Sequence, residues 1–193
     1  MVREVTFDLG DYAEYEDAVE ALDLEFSGSA PTTDDTRQDT CISSIALSPI
    51  RESGQRGTAV GRFCGKGDFN PGRFDAKIKP PGYVKFQDHS SHLIASNFYG
   101  PGTAENLVAM YEKANLSGMR TIENRTTNLL RKDEEVVYVV TPVYEGGSER
   151  PWAVHMQGRS SGGASWDACV LNKDQKGYVD GSVCRGPRPA DVY

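Results

Sequence analysis

The sequence predicts an α+β fold, a mainly antiparallel sheet with one long, interrupted helical region. Three observations carry that expectation. Residues 135–144, 152–157 and 166–171 are short runs rich in Val, Tyr and Trp, separated by the turn-forming stretches 145–148 and 160–163. Residues 104–131 instead place Leu107, Val108, Met110, Tyr111, Ala114, Met119, Ile122, Leu129 and Leu130 along a helical pattern, with Gly118 and Thr126-Thr127 suggesting a break into two helices. At 193 residues the chain suits one domain with an appended arm.

Taken in order, residues 1–40 read as an acidic N-terminal arm and residues 41–193 as the domain. The arm offers a strand over Glu4 to Leu9, an acidic helix over Tyr12 to Leu24, and a Gly/Ser/Pro-rich loop over Ser27 to Asp39. Thr58 to Cys64 reads as a strand, Pro71 to Gly82 as a basic loop, and the alternating Tyr83-Val84-Lys85-Phe86 as a strand leading toward His89 and His92. No apolar run reaches the roughly 18 residues of a membrane span. The first residues lack the basic and apolar regions of a signal peptide, so secretion would use another route or a leader absent from this chain.

The net charge of −7 argues at first against a polyanionic partner, but its distribution reverses that conclusion. Residues 1–40 hold 12 Asp and Glu against 2 Arg, a balance of −10, whereas residues 60–132 hold 11 Lys and Arg against 6 acids, a balance of +5. The middle of the chain is therefore where a phosphate backbone would be steered, and the acidic arm is a candidate occupant of that basic region. Cys41, Cys64, Cys169 and Cys184 form no CxxC pair, which argues against a zinc site. Two disulfides are the better reading, paired in sequence order or in either of the two other ways, with four free thiols as the alternative. Disulfides would imply an oxidising destination.

The chemistry concentrates between Gln87 and Glu123. Hydrolysis of a phosphodiester needs a base for water, a cation for the crowded phosphate, and stabilisation of the departing oxygen. An imidazole titrates near neutrality, and asparagine amide oxygens suit a hard cation such as Mg²⁺, which needs few protein ligands. His92 would sit at the exit of a strand, with Asn106 and Asn115 opening and continuing a helix packed across it. His155 falls in the expected hairpin and reads as structural. An HxxH zinc pair from His89 and His92 has no third ligand at suitable spacing.

The order His92-Leu93-Ile94-Ala95, Phe98-Tyr99-Gly100-Pro101-Gly102, Asn106-Leu107-Val108, Asn115 and Glu123 resembles the DNA/RNA non-specific endonucleases of the ββα-metal (His-Me finger) superfamily. The strand Val136 to Tyr144, Glu149-Arg150-Pro151 and Asp174-Gln175-Lys176-Gly177 extend the likeness toward the streptodornase, competence-nuclease and toxin-nuclease branch. The resemblance spans roughly residues 58–182. It implies a ββα-metal finger embedded in the sheet, and a Mg²⁺-dependent endonuclease, with Mn²⁺ as substitute. Such an enzyme would cut DNA, with RNA as a second candidate, to 5′-phosphate ends without regard to sequence.

By position, the resemblance makes His92 the general base, Asn115 the Mg²⁺ ligand, and Glu123 a carboxylate holding one of the metal's waters. Asn106 is either a second member of the metal site or a residue that ties the loop to the following element. Lys85, Arg120, Arg125 and Arg131 are candidates for gripping phosphates. The family usually reads Asp-Arg-Gly-His where this chain has His89-Ser90-Ser91-His92, with Asp88 displaced by one residue. Losing the Arg and the Gly points to a slower enzyme, one with a substitute Arg, or a weakened nuclease fold that binds DNA or a protein partner. The branch further implies a secreted or delivered nuclease, and a toxin would have an immunity or inhibitor protein as partner.

Overall fold

The computed structural model describes residues 3–6, 17, 41–70 and 76–192. Apart from β1 and residue 17, the expected arm and its loop lie outside the described residues. The main sheet has seven strands in the order β1-β2-β3-β6-β7-β8-β9. These are β1 (Arg3–Thr6), β2 (Ser44–Leu47), β3 (Ala59–Phe63), β6 (Val136–Val143), β7 (Ala153–Ser160), β8 (Ser165–Leu171) and β9 (Val179–Asp180). Only β1 with β2 is parallel; every other neighbouring pair is antiparallel. The first strand thus joins the sheet of the domain, pairing Arg3 with Ser44 through Thr6 with Leu47.

The remaining strands, β4 (Asp88–His92) and β5 (Leu107–Tyr111), make a separate two-stranded hairpin. Two sequence expectations fail here. Leu107–Tyr111 is a strand rather than the opening of a helix, because its apolar run fits a fully buried strand as well as a buried helical turn. Tyr83–Phe86 is a turn rather than a strand, because the backbone N–H groups of Gln87 and Asp88 both close onto the Val84 carbonyl and the Asp88 carboxylate accepts from Val84 N.

The helical region is correspondingly shorter but unbroken, a π turn over Ala114–Met119 running into α1 (Arg120–Leu130). Gly118 does not interrupt it. A Cβ there would lie 2.5 Å from the Gly177 carbonyl oxygen and 2.6 Å from Val170, so the glycine lets the helix approach β8 and the segment after it. Thr126 and Thr127 are buried within the helix, and Thr126 Oγ1 donates back to the Ile122 carbonyl.

The helix and hairpin close over one face of the sheet. Leu93, Ile94, Phe98, Met110, Met119, Ile122 and Leu130 meet Phe63, Tyr138, Met156 and Val170 in a single buried cluster. A smaller cluster around Trp152 and Cys184 includes Ala153 and Cys169 of β7 and β8. Cys41 bonds to Cys64 and Cys169 to Cys184, the sequential pairing. No helix among the described residues is long and apolar enough to cross a membrane.

Candidate active site

The β4–β5 register sets His89 opposite Met110, Ser91 opposite Val108 and His92 opposite Leu107. His92 therefore ends its strand, with the loop 93–106 returning directly to its partner. Asn106 holds that loop closed. It is fully buried, its Oδ1 accepts from Ile94 N at 2.8 Å, and its Nδ2 donates to the carbonyls of Ile94 and Pro101, each at 2.9 Å. Of the two roles weighed for it, these bonds suit the one that ties the loop to the following element, and so fixes where His92 stands.

The polar atoms of β4 are unusually uncommitted. His92 Nε2, Ser90 Oγ and Ser91 Oγ are all enclosed, with no hydrogen-bond partner among the described residues. Enclosed polar atoms without partners are costly, and three on consecutive residues mark a strand built to meet something. Burial lowers the His92 pKa below its ordinary value, keeping the ring neutral and able to accept a proton.

The helix brings its first polar residue against the same strand. Asn115 Nδ2 lies 3.2 Å from His89 Nδ1. With the amide donating, His89 accepts at Nδ1 and directs its other nitrogen toward Glu112 Oε1, 3.8 Å away. Asn115 Oδ1 is then the atom of this side chain that could take a hard cation. His89 is thus a support for Asn115.

Glu123 follows two turns later. Burial raises its carboxyl to about 7, only partly opposed by the charge of Arg120. Burial, with the Glu123 charge adding to it, raises the Tyr138 phenol well above its usual range. The Tyr138 hydroxyl is itself buried without a partner among the described residues.

Of the four cations anticipated as phosphate contacts, two are held against buried or half-buried rings, and a third, Lys85, stands over the exposed Phe86 ring. Arg125 lies over the Trp166 ring at 5.3 Å and donates to the Ser165 carbonyl, and Arg131 lies over Phe69 at 5.1 Å. Arg120 borders a groove of about 520 Å³ along the helix with Lys113 and Lys176. Lys85 borders another, of about 700 Å³, that reaches His89.

Sequence reasoning missed the network that seats the hairpin. Asp88, buried at the start of β4, is held by both terminal nitrogens of Arg150, with Nη2 to Oδ1 at 2.8 Å. Buried Asn172 donates to the Ala109 and Pro151 carbonyls and accepts from Tyr111 N. Arg150 also covers the Tyr111 ring at 4.7 Å. Asp88 and Arg150 are 62 residues apart, so no local pattern announces the pair.

No cluster of three or more His, Cys, Asp or Glu suited to a metal occurs among the described residues. A hydrated hard cation, which takes few protein ligands and prefers oxygen, fits the Asn115 amide with Glu123 on the same helix.

The β4–β5 hairpin, followed by the helix that bears Asn115 and Glu123 and packed on an antiparallel sheet, makes a ββα unit within an α+β fold. Residues 68–162 match the family described as DNA/RNA non-specific endonuclease, and this part of the chain belongs to that family. It is accordingly a nucleic-acid hydrolase. The fold is shared with NucA from Streptococcus agalactiae, in a structure with magnesium bound: TM-score 0.61 at 19% identity, covering 74% of this chain and 78% of NucA. It is shared also with Sda1 nuclease, in a structure with zinc bound: TM-score 0.59 at 22% identity, covering 67% of this chain and 73% of Sda1. A search of curated protein sequences finds no match.

Proposed function

We propose that this protein is a Mg²⁺-dependent, sequence-non-specific endonuclease that leaves 5′-phosphate ends on DNA and accepts RNA as a second substrate. The observation that carries this reading is the enclosed, unpartnered Nε2 of a neutral His92 beside two uncommitted serine hydroxyls. His92 takes the proton from a water that attacks phosphorus, and the bond to the 3′ oxygen breaks. Asn115 Oδ1 would hold the divalent ion, with Glu123 gripping one of its waters. When bound, the ion supplies positive charge for the crowded phosphate and the departing oxygen. The magnesium of NucA and the zinc of Sda1 support a divalent ion without choosing between them.

Asn115 is held from one side by His89, so its oxygen keeps a fixed direction. Glu123 must ionise to act, and a cation nearby would lower its raised pKa. Arg120 and Lys85 meet phosphates directly, while Arg125 and Arg131 contribute charge from their aromatic seats. Residues 41–193 form the nuclease domain, and residues 1–40 supply an edge strand and an acidic segment. Two disulfides favour a secreted or delivered protein. Delivery as a toxin would require an immunity protein.

Supercoiled plasmid incubated with the purified, disulfide-formed protein tests this reading. Nicking with Mg²⁺, its loss in EDTA, and fragments ligatable without phosphorylation are the expected results. Intact plasmid after hours would refute it. The replacement of the family's Arg-Gly by Ser90-Ser91 favours a second reading, a weakened nuclease that retains binding. That reading predicts a salt-sensitive gel shift in EDTA with no cleavage in Mg²⁺.

A further inference from the structure

Phe86 is 93% exposed, far more than any other large apolar side chain among the described residues. It also has φ of 69°, a left-handed conformation that a bulky residue rarely adopts. Neither feature is accidental slack. The turn that presents it is closed by Asp88 N on the Val84 carbonyl at 3.0 Å and by Val84 N on Asp88 Oδ2 at 2.8 Å. Asp88 is in turn fixed by Arg150. The fold thus spends a buried ion pair on holding an aromatic ring out in water. Strain that the surroundings maintain is a pointer to use.

The neighbourhood says what the ring meets. Phe86 borders the groove of about 700 Å³ together with Lys79, Tyr83, Lys85 and His89. Lys85 Nζ stands 4.8 Å from the Phe86 ring centre, and Lys79 Nζ 4.4 Å from that of Tyr83. Glu112, the one exposed carboxylate on this groove, faces His89. Aromatic faces alternating with lysines, on a groove that leads to the partner of Asn115, match a nucleic-acid strand whose bases are free to stack. A duplex offers its phosphates to the lysines but keeps its base faces buried against one another.

We propose that Phe86 is a stacking platform for an unpaired base flanking the cut site, with Lys79 and Lys85 gripping the adjoining phosphates. The protein therefore prefers single-stranded or locally opened nucleic acid. This rests on the nucleic-acid substrate of the preceding reading, and its test separates the two.

Binding of a fluorescein-labelled single-stranded DNA 12-mer and of the matching duplex is measured by anisotropy in EDTA, where no cleavage is needed. Phe86→Ala should weaken single-strand binding about ten-fold and duplex binding less than about two-fold, with Phe86→Trp restoring the difference. Lys79→Ala with Lys85→Ala should weaken both and flatten the dependence of log K on log salt for the single strand by about 1.4. Phe86→Gly, which accepts the positive φ without strain, guards against a folding artefact and should behave as the alanine variant. Phe86→Ala binding single strands within two-fold of the parent, or losing both substrates equally, overturns the proposal. Cleavage in Mg²⁺ reports separately: Phe86-dependent binding without any cleavage would sink the nuclease reading and leave the platform standing.

Discussion

The seven-stranded sheet and the β4–β5 hairpin handle their polar groups in opposite ways. In and beside the sheet, Thr58 meets Thr141, buried His155 meets Asp167 at 2.5 Å, and Gln55 spans two carbonyls of the β6–β7 turn. Its unpartnered polar atoms, on Ser44, Tyr138 and Trp166 with Ser48 just beyond β2, are scattered over separate strands rather than consecutive. Both disulfides also fasten this side of the molecule. On the hairpin, three neighbouring residues carry enclosed atoms without partners, and a strained Phe86 precedes the strand. The lesson is a division of labour. On the proposed function, the sheet contributes the stability that lets the hairpin keep atoms free for substrate.

Breaking the joint between the two regions should have the largest effect. Arg150→Met leaves the Asp88 carboxylate buried and unpaired, at a cost of about 3–5 kcal/mol. Urea unfolding should show that loss, and Asp88→Asn added to it should recover much of it. An Arg150→Met protein as stable as the parent would mean the hairpin is seated by apolar contacts alone.

Removing a sheet-side bridge should be slightly milder and different in kind. Cys169→Ala with Cys184→Ala opens a loop of 15 residues and should cost about 3 kcal/mol. Thermal unfolding should shift, while cleavage at low temperature stays within about two-fold. Activity falling in step with stability would erase the proposed division.

A smaller effect distinguishes Glu123 by its pH dependence. Its carboxyl is raised from 4.5 to about 7, so the metal-free folded state binds more protons than the unfolded chain between those values. The stabilisation is fully present below pH 4.5 and disappears as pH rises through 7, by at most about 3 kcal/mol. His92, lowered instead, opposes this by losing stability as pH falls below 6.5. The Glu123→Gln variant isolates the carboxyl: the gap between its stability and the parent's should change between pH 5 and pH 8. A constant gap would place Glu123 in an ordinary solvated setting.

The smallest effect separates the cations. Arg120→Ala should raise KM several-fold, and Arg125→Ala less, because Arg125 is already committed to Trp166 and Ser165. Equal effects would show that the aromatic seat does not withhold its charge from substrate.

Much of the fold was legible where pattern and burial agree. The β6–β7–β8 meander declared itself through valine-rich runs and glycine turns, and β3 likewise. Leu107–Tyr111 misled because five apolar residues fit a buried strand and a helical turn equally well; only pairing with β4 decides. Tyr83–Phe86 alternated like a strand, yet a carboxylate at Asp88 turned it into a display loop. In the candidate site, His92, Asn115 and Glu123 follow one another in the chain because one hairpin and one helix supply all three. The Asp88–Arg150 pair and the Asn172 junction were not legible, being made across long stretches of chain. Asn106 illustrates the limit of residue type: the amide that suits a cation suits a loop clamp as well.

The proposed function rests on a neutral, uncommitted His92 at the end of the hairpin, ready to take a proton. Single-turnover cleavage of a defined DNA by His92→Ala, with thermal unfolding followed in parallel, tests it most directly. The account predicts a fall in rate of roughly 10²–10⁴-fold with an unfolding midpoint no lower than the parent's. Cleavage by His92→Ala at the parent rate would contradict it.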